Sequence, residues 1–176
     1  MRSGICKLLS VLLLLSLTLT LLASCKKREY GHGELTIDLP REFKDHDSDE
    51  HYDACYSNGT VVVGILRVSF DAIASENWTP TMSPLVFAET YYKQNALSGI
   101  PVTETEVRGD VVWYTYSQSS AGGMSYTYMP TFYFSPYAYF IVTYILPSGD
   151  YEYKKETLLS YAESVRIDPT RVEKSE

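Results

Sequence analysis

The amino-acid sequence predicts an α+β domain, a mostly antiparallel β-sheet sandwiched by helices in an α/β/α arrangement. Three observations carry that expectation. Runs with strand-like alternation or β-branched and aromatic enrichment recur at 35–39, 60–70, 111–117, 126–134 and 137–146. Compact turn residues, Asn58-Gly59, Arg108-Gly109-Asp110 and Ser135-Pro136, separate neighbouring runs and so favour antiparallel hairpins. Only two segments, 83–98 and 151–165, have helical spacing of apolar residues.

Taken in order, Leu35-Thr36-Ile37-Asp38-Leu39 alternates apolar and polar residues and stops at Pro40, as a half-buried strand does. The stretch 45–53 is a charged loop. Ala54-Cys55-Tyr56 and the β-rich run 60–70 flank Asn58-Gly59, a pair suited to the positive φ angles of a type I′ turn. Ser83 is placed to cap free amides and Pro84 suits the first helical turn, with Leu85, Ala88, Tyr92 and Ala96 expected along the buried stripe. Gly99 and Pro101 end that helix. Strands at 102–107 and 111–117 then surround Arg108-Gly109-Asp110. The pair 126–134 and 137–146 follows, with Pro130 expected at an edge or a bulge because it lacks a ladder donor. A closing helix over 151–165 sets Leu158, Leu159, Ala162 and Val165 on its inner side.

The opening Leu35-Thr36-Ile37-Asp38-Leu39-Pro40 with Phe43, the Ser83-Pro84 helix, the long aromatic hairpins and the ending Ala162-Glu163-Ser164-Val165-Arg166 resemble the PsbP/Mog1/DcrB-like fold over residues 35–167. The resemblance rests on element order and a loose Leu-Pro-x-x-Phe pattern. It implies an antiparallel sheet flanked by helices and a non-catalytic binding or assembly role. It transfers no functional residue.

At the N-terminus, Arg2 and Lys7 precede an apolar segment from Leu8 to Leu22, about 15 residues, shorter than the roughly 20 of a membrane-spanning helix. Leu22-Ala23-Ser24-Cys25 closes it. This pattern resembles the lipobox of bacterial lipoproteins, which implies cleavage before Cys25 and a diacylglyceryl group on its Sγ. Two acyl chains hold a protein stably where one holds it marginally. The organisation expected is a signal peptide at 1–24, a lipid-anchored tether at 25–34, a globular domain at 35–167 and a charged tail at 168–176. Lys26, Lys27 and Arg28 fall beside the headgroups, as a basic clamp or as the solvated start of the tether. The location expected is the extracytoplasmic face of the cell membrane, with a protein of the envelope as partner.

Without the signal the chain has 13 basic and 22 acidic residues, a net charge of −9. That balance excludes nucleic acid as a partner, since counterion release demands a basic surface. Cys6 leaves with the signal and Cys25 carries lipid, so Cys55 has no disulfide partner within the chain and reads as a small buried apolar residue.

Two clusters invite a functional reading. Asp45, Asp47 and Asp49 alternate with His46 and sit near His51, a set of ligand types for Ca²⁺ or Zn²⁺. An EF-hand loop opening at Asp45 would need Gly where Glu50 stands and Glu where Tyr56 stands, so a solvated acidic loop is the plainer reading and no cofactor is expected. The second cluster is aromatic, with 12 Tyr, Phe and Trp residues between Trp113 and Tyr144. Tyr114, Tyr116, Tyr126 and Tyr128 are the candidate binding surface, flat apolar rings with a hydroxyl at the edge; core packing is the alternative. Arg108-Gly109-Asp110 spells an adhesion tripeptide but is also ordinary turn chemistry. No nucleophile elbow, metalloprotease helix, phosphate loop or dinucleotide fingerprint occurs. The expectation is a non-enzymatic surface lipoprotein acting as a binding or accessory module. A weak divalent-cation binder using 45–53 and an envelope hydrolase using scattered carboxylates are the alternatives.

Overall fold

The computed structural model describes residues 27–47, 51–75, 79–81 and 83–171. The signal segment, Cys25, Lys26 and Asp49 lie outside the described residues. In chain order the strands begin with β1 Lys27–His32, β2 Leu35–Pro40, β3 Lys44–Asp45, β4 Ala54–Ser57 and β5 Val62–Ser69. Helices α1 Phe70–Ser75 and α2 Pro84–Phe87 follow, and α2 runs through a π-helical turn, Ala88–Tyr92, into α3 Lys93–Asn95. Then come β6 Glu106–Arg108, β7 Val111–Trp113, β8 Tyr116–Ser119, β9 Ser125–Phe134, β10 Ala138–Pro147, α4 Tyr151–Ala162 and β11 Arg166–Ile167.

The large sheet is ordered β3-β4-β5-β10-β9-β7-β6, with β8 also on β9, and a small sheet is ordered β1-β2-β11. Every pairing between these strands is antiparallel. The twofold alternation of β10 shows how the layers form. Ala138, Phe140, Val142, Tyr144 and Leu146 face a core closed by the small sheet and α4, whereas Tyr139 and Ile141 face a second core under α1 and α2. The expected sandwich is therefore present, with one covering layer part helix and part sheet.

Several local expectations change. The segment expected as a tether is strand β1, with Lys27 opposite Pro40 and His32 opposite Leu35. Its polar sequence hid it, because one edge of a small sheet needs backbone pairing more than apolar alternation. Asn58-Gly59 does join β4 to β5, but Ser57 pairs with Val62, leaving a four-residue loop in place of a two-residue turn. The Asn58 side-chain oxygen accepts from the amides of Thr60 at 3.0 Å and Val61 at 2.8 Å, and Gly59 takes φ +85°.

The strand expected over 102–107 shortens to β6, with Val102 making a lone bridge to Tyr116. β7 and β8 keep one register on β9, Trp113 opposite Thr131 and Tyr116 opposite Tyr128. They are one strand interrupted opposite Pro130, which has no N–H to give; Pro130 thus lies in an interior strand, not at an edge. Ser83 caps α2 by accepting from the Val86 amide at 3.3 Å. The buried side there is Phe87, Ala88, Tyr91 and Leu97, while Leu85 is 42% exposed. The π turn slips the helical phase by about one residue, and Phe87 gains a stacked ring, Tyr139, at 3.9 Å. Finally, α4 stops at Ala162 and the chain beyond returns as β11 on β2.

Candidate functional site

The helix-covered face of the large sheet ends in a basin of tyrosines. Gly64 of β5 starts it: a Cβ there would stand 2.6 Å from the Tyr52 ring, so only glycine lets that ring lie flat on the strand. The approach is fixed because the Asp53 amide donates to the Ile65 carbonyl at 2.8 Å and the Arg67 amide to Asp53 Oδ2 at 2.6 Å. Gly64 pairs with Thr143 of β10, and Thr143 with Pro130 of β9, which carries the same row toward β8.

At the far side Tyr116 and Tyr128, opposite one another in register, stack at 4.9 Å with planes 8° apart. Both remain partly exposed. Tyr126 is two residues along β9 on the same face and is also partly exposed. Tyr114 is fully buried, packed on Phe132 at 5.4 Å. Lys93 Nζ lies 4.6 Å from its ring centroid and is held at 2.8 Å by Glu89 and 2.8 Å by Thr105. The Thr105 hydroxyl also donates to Glu89. The Tyr114 hydroxyl is buried without a hydrogen-bond partner among the described residues.

The electrostatics are those of a phenol cluster in a low dielectric. Burial pushes the Tyr92 hydroxyl up to about 12, and pushes Tyr52, Tyr114 and Tyr116 well above the ordinary tyrosine value. For Tyr116, neighbouring Tyr92, Tyr52 and Tyr128 add to that rise. The Glu89 carboxyl moves the other way, held down first by its bond to Lys93 and then by Thr105. The phenols are consequently neutral and donor-rich at neutral pH, with the Lys93–Glu89 ion pair fixed at their floor.

Of the four tyrosines singled out in sequence, three form the open side and Tyr114 the floor. Tyr52, Tyr92 and Lys93 were not foreseen. Gly64 was their available signal, since glycine inside the run Val61-Val62-Val63-Gly64-Ile65 marks a close approach.

The other candidates fall elsewhere. Lys27 and Arg28 are exposed on β1. Asp45 pairs with Tyr56 as part of β3, and Asp47 is exposed. Among the described residues no three His, Cys, Asp or Glu side chains are grouped to hold a metal ion. Cys55 is buried in β4, outside any disulfide. The hairpin tip at Gly109-Asp110 forms, but Arg108 reaches Glu156 of α4 and Glu163 just beyond its end, each at 2.8 Å. A polar cleft of about 350 Å³ borders β1 between Arg28, His32, Asp45 and Arg171. An apolar groove of about 340 Å³ runs between Pro84, Leu85, Phe134 and Ile167.

No known protein family matches the chain, and no curated protein matches it. Among solved structures it is similar to the Ran-binding protein Mog1p of Saccharomyces cerevisiae, with a TM-score of 0.52 and 9% identity over 85% of this chain and 100% of that one. It is also similar to cyanobacterial PsbP (CyanoP) of Synechocystis, with a TM-score of 0.48 and 10% identity over 81% and 93% of the two chains. LpqN of Mycobacterium tuberculosis, involved in cell envelope biogenesis, gives 0.44 and 12% over 82% and 91%. Order of elements, sheet topology and the Mog1p superposition agree that this chain has the PsbP/Mog1-like fold its sequence resembles.

Proposed function

We propose that the mature chain is a lipid-anchored, extracytoplasmic binding module that captures a protein partner of the cell envelope on its tyrosine basin. The observation that carries this reading is the stacked Tyr116–Tyr128 pair, partly exposed beside Tyr126, at the end of a face whose rings Phe87, Tyr91, Tyr114, Phe132 and Tyr139 are buried. Exposed, pre-stacked tyrosines offer apolar area with little rotamer entropy left to lose, and a hydroxyl at each rim for a polar contact. The buried Tyr114 hydroxyl without a partner and the fixed Lys93 ammonium give the floor a polarity that a purely structural core would not keep. Anchoring is supported by Leu22-Ala23-Ser24-Cys25 behind its apolar segment. The chemistry of this reading is recognition. Among proteins with this fold, Mog1p is itself a binding protein.

The test is crosslinking capture on intact cells with three chains: wild type, Cys25→Ser, and the double variant Tyr116→Ser with Tyr128→Ser. A defined envelope protein captured by wild type and lost from the folded double variant supports the reading. Capture unchanged by the double variant removes the basin from it. Absence of a lipid adduct on Cys25 by mass spectrometry removes the anchor.

A further inference from the structure

We infer that the domain does not sway on a tether but docks directly on an anionic bilayer through a basic rim formed by Lys27, Arg28, Arg41 and Lys44. This inference rests on the anchor at Cys25 proposed above. Only Lys26 separates that cysteine from the first residue of β1, and two residue steps span at most about 7 Å. Because β1 is paired with β2 along all six residues, the chain is already held by the fold when it leaves the membrane surface. One end of the small sheet must therefore lie at the headgroups.

The charge at that end fits such a surface. Lys27 pairs with Pro40, which puts Arg41, the next residue, at the same end of the sheet. Arg28 sits 5.4 Å from the Tyr30 ring, and the Tyr30 hydroxyl donates at 2.5 Å to the carbonyl of Phe43, which precedes Lys44. All four cations are exposed. Among the described residues none of them is in an ion pair. The acids of the small sheet are neutralised by other partners: Glu29 by Arg166 at 3.4 Å and Arg171 at 3.0 Å, Asp38 by Arg166 at 2.8 Å. Glu42 and Asp45 are the acids left beside the four cations, so the rim keeps a net positive charge of two. In a mature chain of net charge −9, which an anionic membrane would otherwise repel, these four cations are gathered where the anchor emerges. Each cation near such a surface strengthens partitioning by roughly fivefold.

Docking fixes which way the domain points. Lys44 pairs with Ser57, and Ser57 with Val62, at one end of β5. The Ser135-Pro136 turn before β10 lies at the other end, where Ala138 pairs with Ser69, about 23 Å away at the usual strand rise.

The experiment uses the lipidated full chain in vesicles of three parts phosphatidylcholine to one part phosphatidylglycerol, with a headgroup nitroxide quencher. A fluorophore is placed at Glu42→Cys, which leaves the four cations intact, or at Tyr137→Cys beside the distal turn; Cys55 is buried and does not compete. Strong quenching at position 42 and little at 137 is expected. It should fall several-fold when the same chain carries Lys27→Glu, Arg28→Glu, Arg41→Glu and Lys44→Glu. For the unchanged protein, it should also fall when salt is raised to about 1 M, where the screening length shrinks to about 3 Å. Equal quenching at both positions, or quenching at 42 that neither charge nor salt alters, overturns the docking while vesicle flotation keeps the anchor. Failure to float, with no lipid on Cys25, overturns the anchor and the docking with it.

Discussion

The two faces of the large sheet are built from the same strands yet end differently. On one, Leu35, Ile37, Leu39 and Phe43 from the N-terminal segment and Leu158, Leu159 and Ala162 from α4 close over β5, β9 and β10, with Ala54, Tyr151, Tyr161, Val165 and Ile167 partly buried at the margin. On the other, Ile73, Phe87, Ala88, Tyr91 and Leu97 cover only part of the sheet, and Tyr116 and Tyr128 are left partly exposed. A strand sends alternate side chains to both layers without deciding how far each layer is covered. Cover length makes one face a core and leaves the other a surface with a core beneath it.

Cutting a large ring from each face tests this most strongly. Phe140→Ala on the closed face should cost about 3–5 kcal/mol in denaturant unfolding, as one cooperative transition. Phe87→Ala, which removes the ring stacked on Tyr139, should cost less globally and should speed hydrogen exchange of α2 first. Equal costs and uniform exchange would mean the two faces do not differ in cooperativity.

A smaller effect is expected at the floor of the basin. Gly64→Ala pushes a methyl group into the Tyr52 ring and should destabilise by about 1–3 kcal/mol, with a change in tyrosine fluorescence. A variant as stable as wild type, with unchanged fluorescence, would show that Tyr52 is not seated there.

Alkaline titration then tests one phenol of the partly covered face. Tyr92 has its folded value raised to about 12 from 10.0, so its neutral form contributes stability that is full below pH 10 and is lost as pH rises toward 12. Tyr92→Phe should move the alkaline unfolding midpoint upward, read by circular dichroism. An unmoved midpoint would assign alkaline unfolding to other phenols.

The smallest effect belongs to the small sheet. Arg166 holds the Asp38 carboxyl below its ordinary 3.8, chiefly through their hydrogen bond. Its contribution is therefore full above that pH and fades as pH falls through the lower folded value. Arg166→Ala should cost about 0.5 kcal/mol at pH 7 and leave no difference from wild type near pH 2. A gap that persists in acid would point to packing in place of charge.

Much of the fold could be read before any tertiary contact was known. β2, β9, β10 and α4 announce themselves because their apolar and aromatic runs, and in α4 Leu158, Leu159 and Ala162, supply the residues that are buried, and the Gly109-Asp110 and Ser135-Pro136 turns fix their neighbours. β1 was missed for the opposite reason: Lys27-Arg28-Glu29-Tyr30-Gly31-His32 has only one buried ring, and its strand identity lies in hydrogen bonds to β2. The helical stripe on α2 was displaced for a third reason, since spacing assumes 3.6 residues per turn and the π turn breaks that count.

The candidate site divides the same way. Tyr116, Tyr126 and Tyr128 were visible because residues two apart in a strand share a face, and their exposure follows from where the helix ends. Tyr52 was hidden in an acidic loop, and Tyr92 and Lys93 in a helical stripe, so nothing local linked them to β8.

By itself the sequence determined the antiparallel hairpins, the alternation that divides each strand between two layers, the acidic body, and the Leu22-Ala23-Ser24-Cys25 pattern on which the proposed anchor rests. Tertiary structure alone decided that the polar stretch after Cys25 is a strand, that one aromatic face is only partly covered, and that four cations from two segments share one rim. The physical reason is range. Periodicity, turn chemistry and charge act within a few residues, whereas edge pairing, the reach of a covering helix and the meeting of distant side chains depend on which surfaces remain once the whole chain has packed.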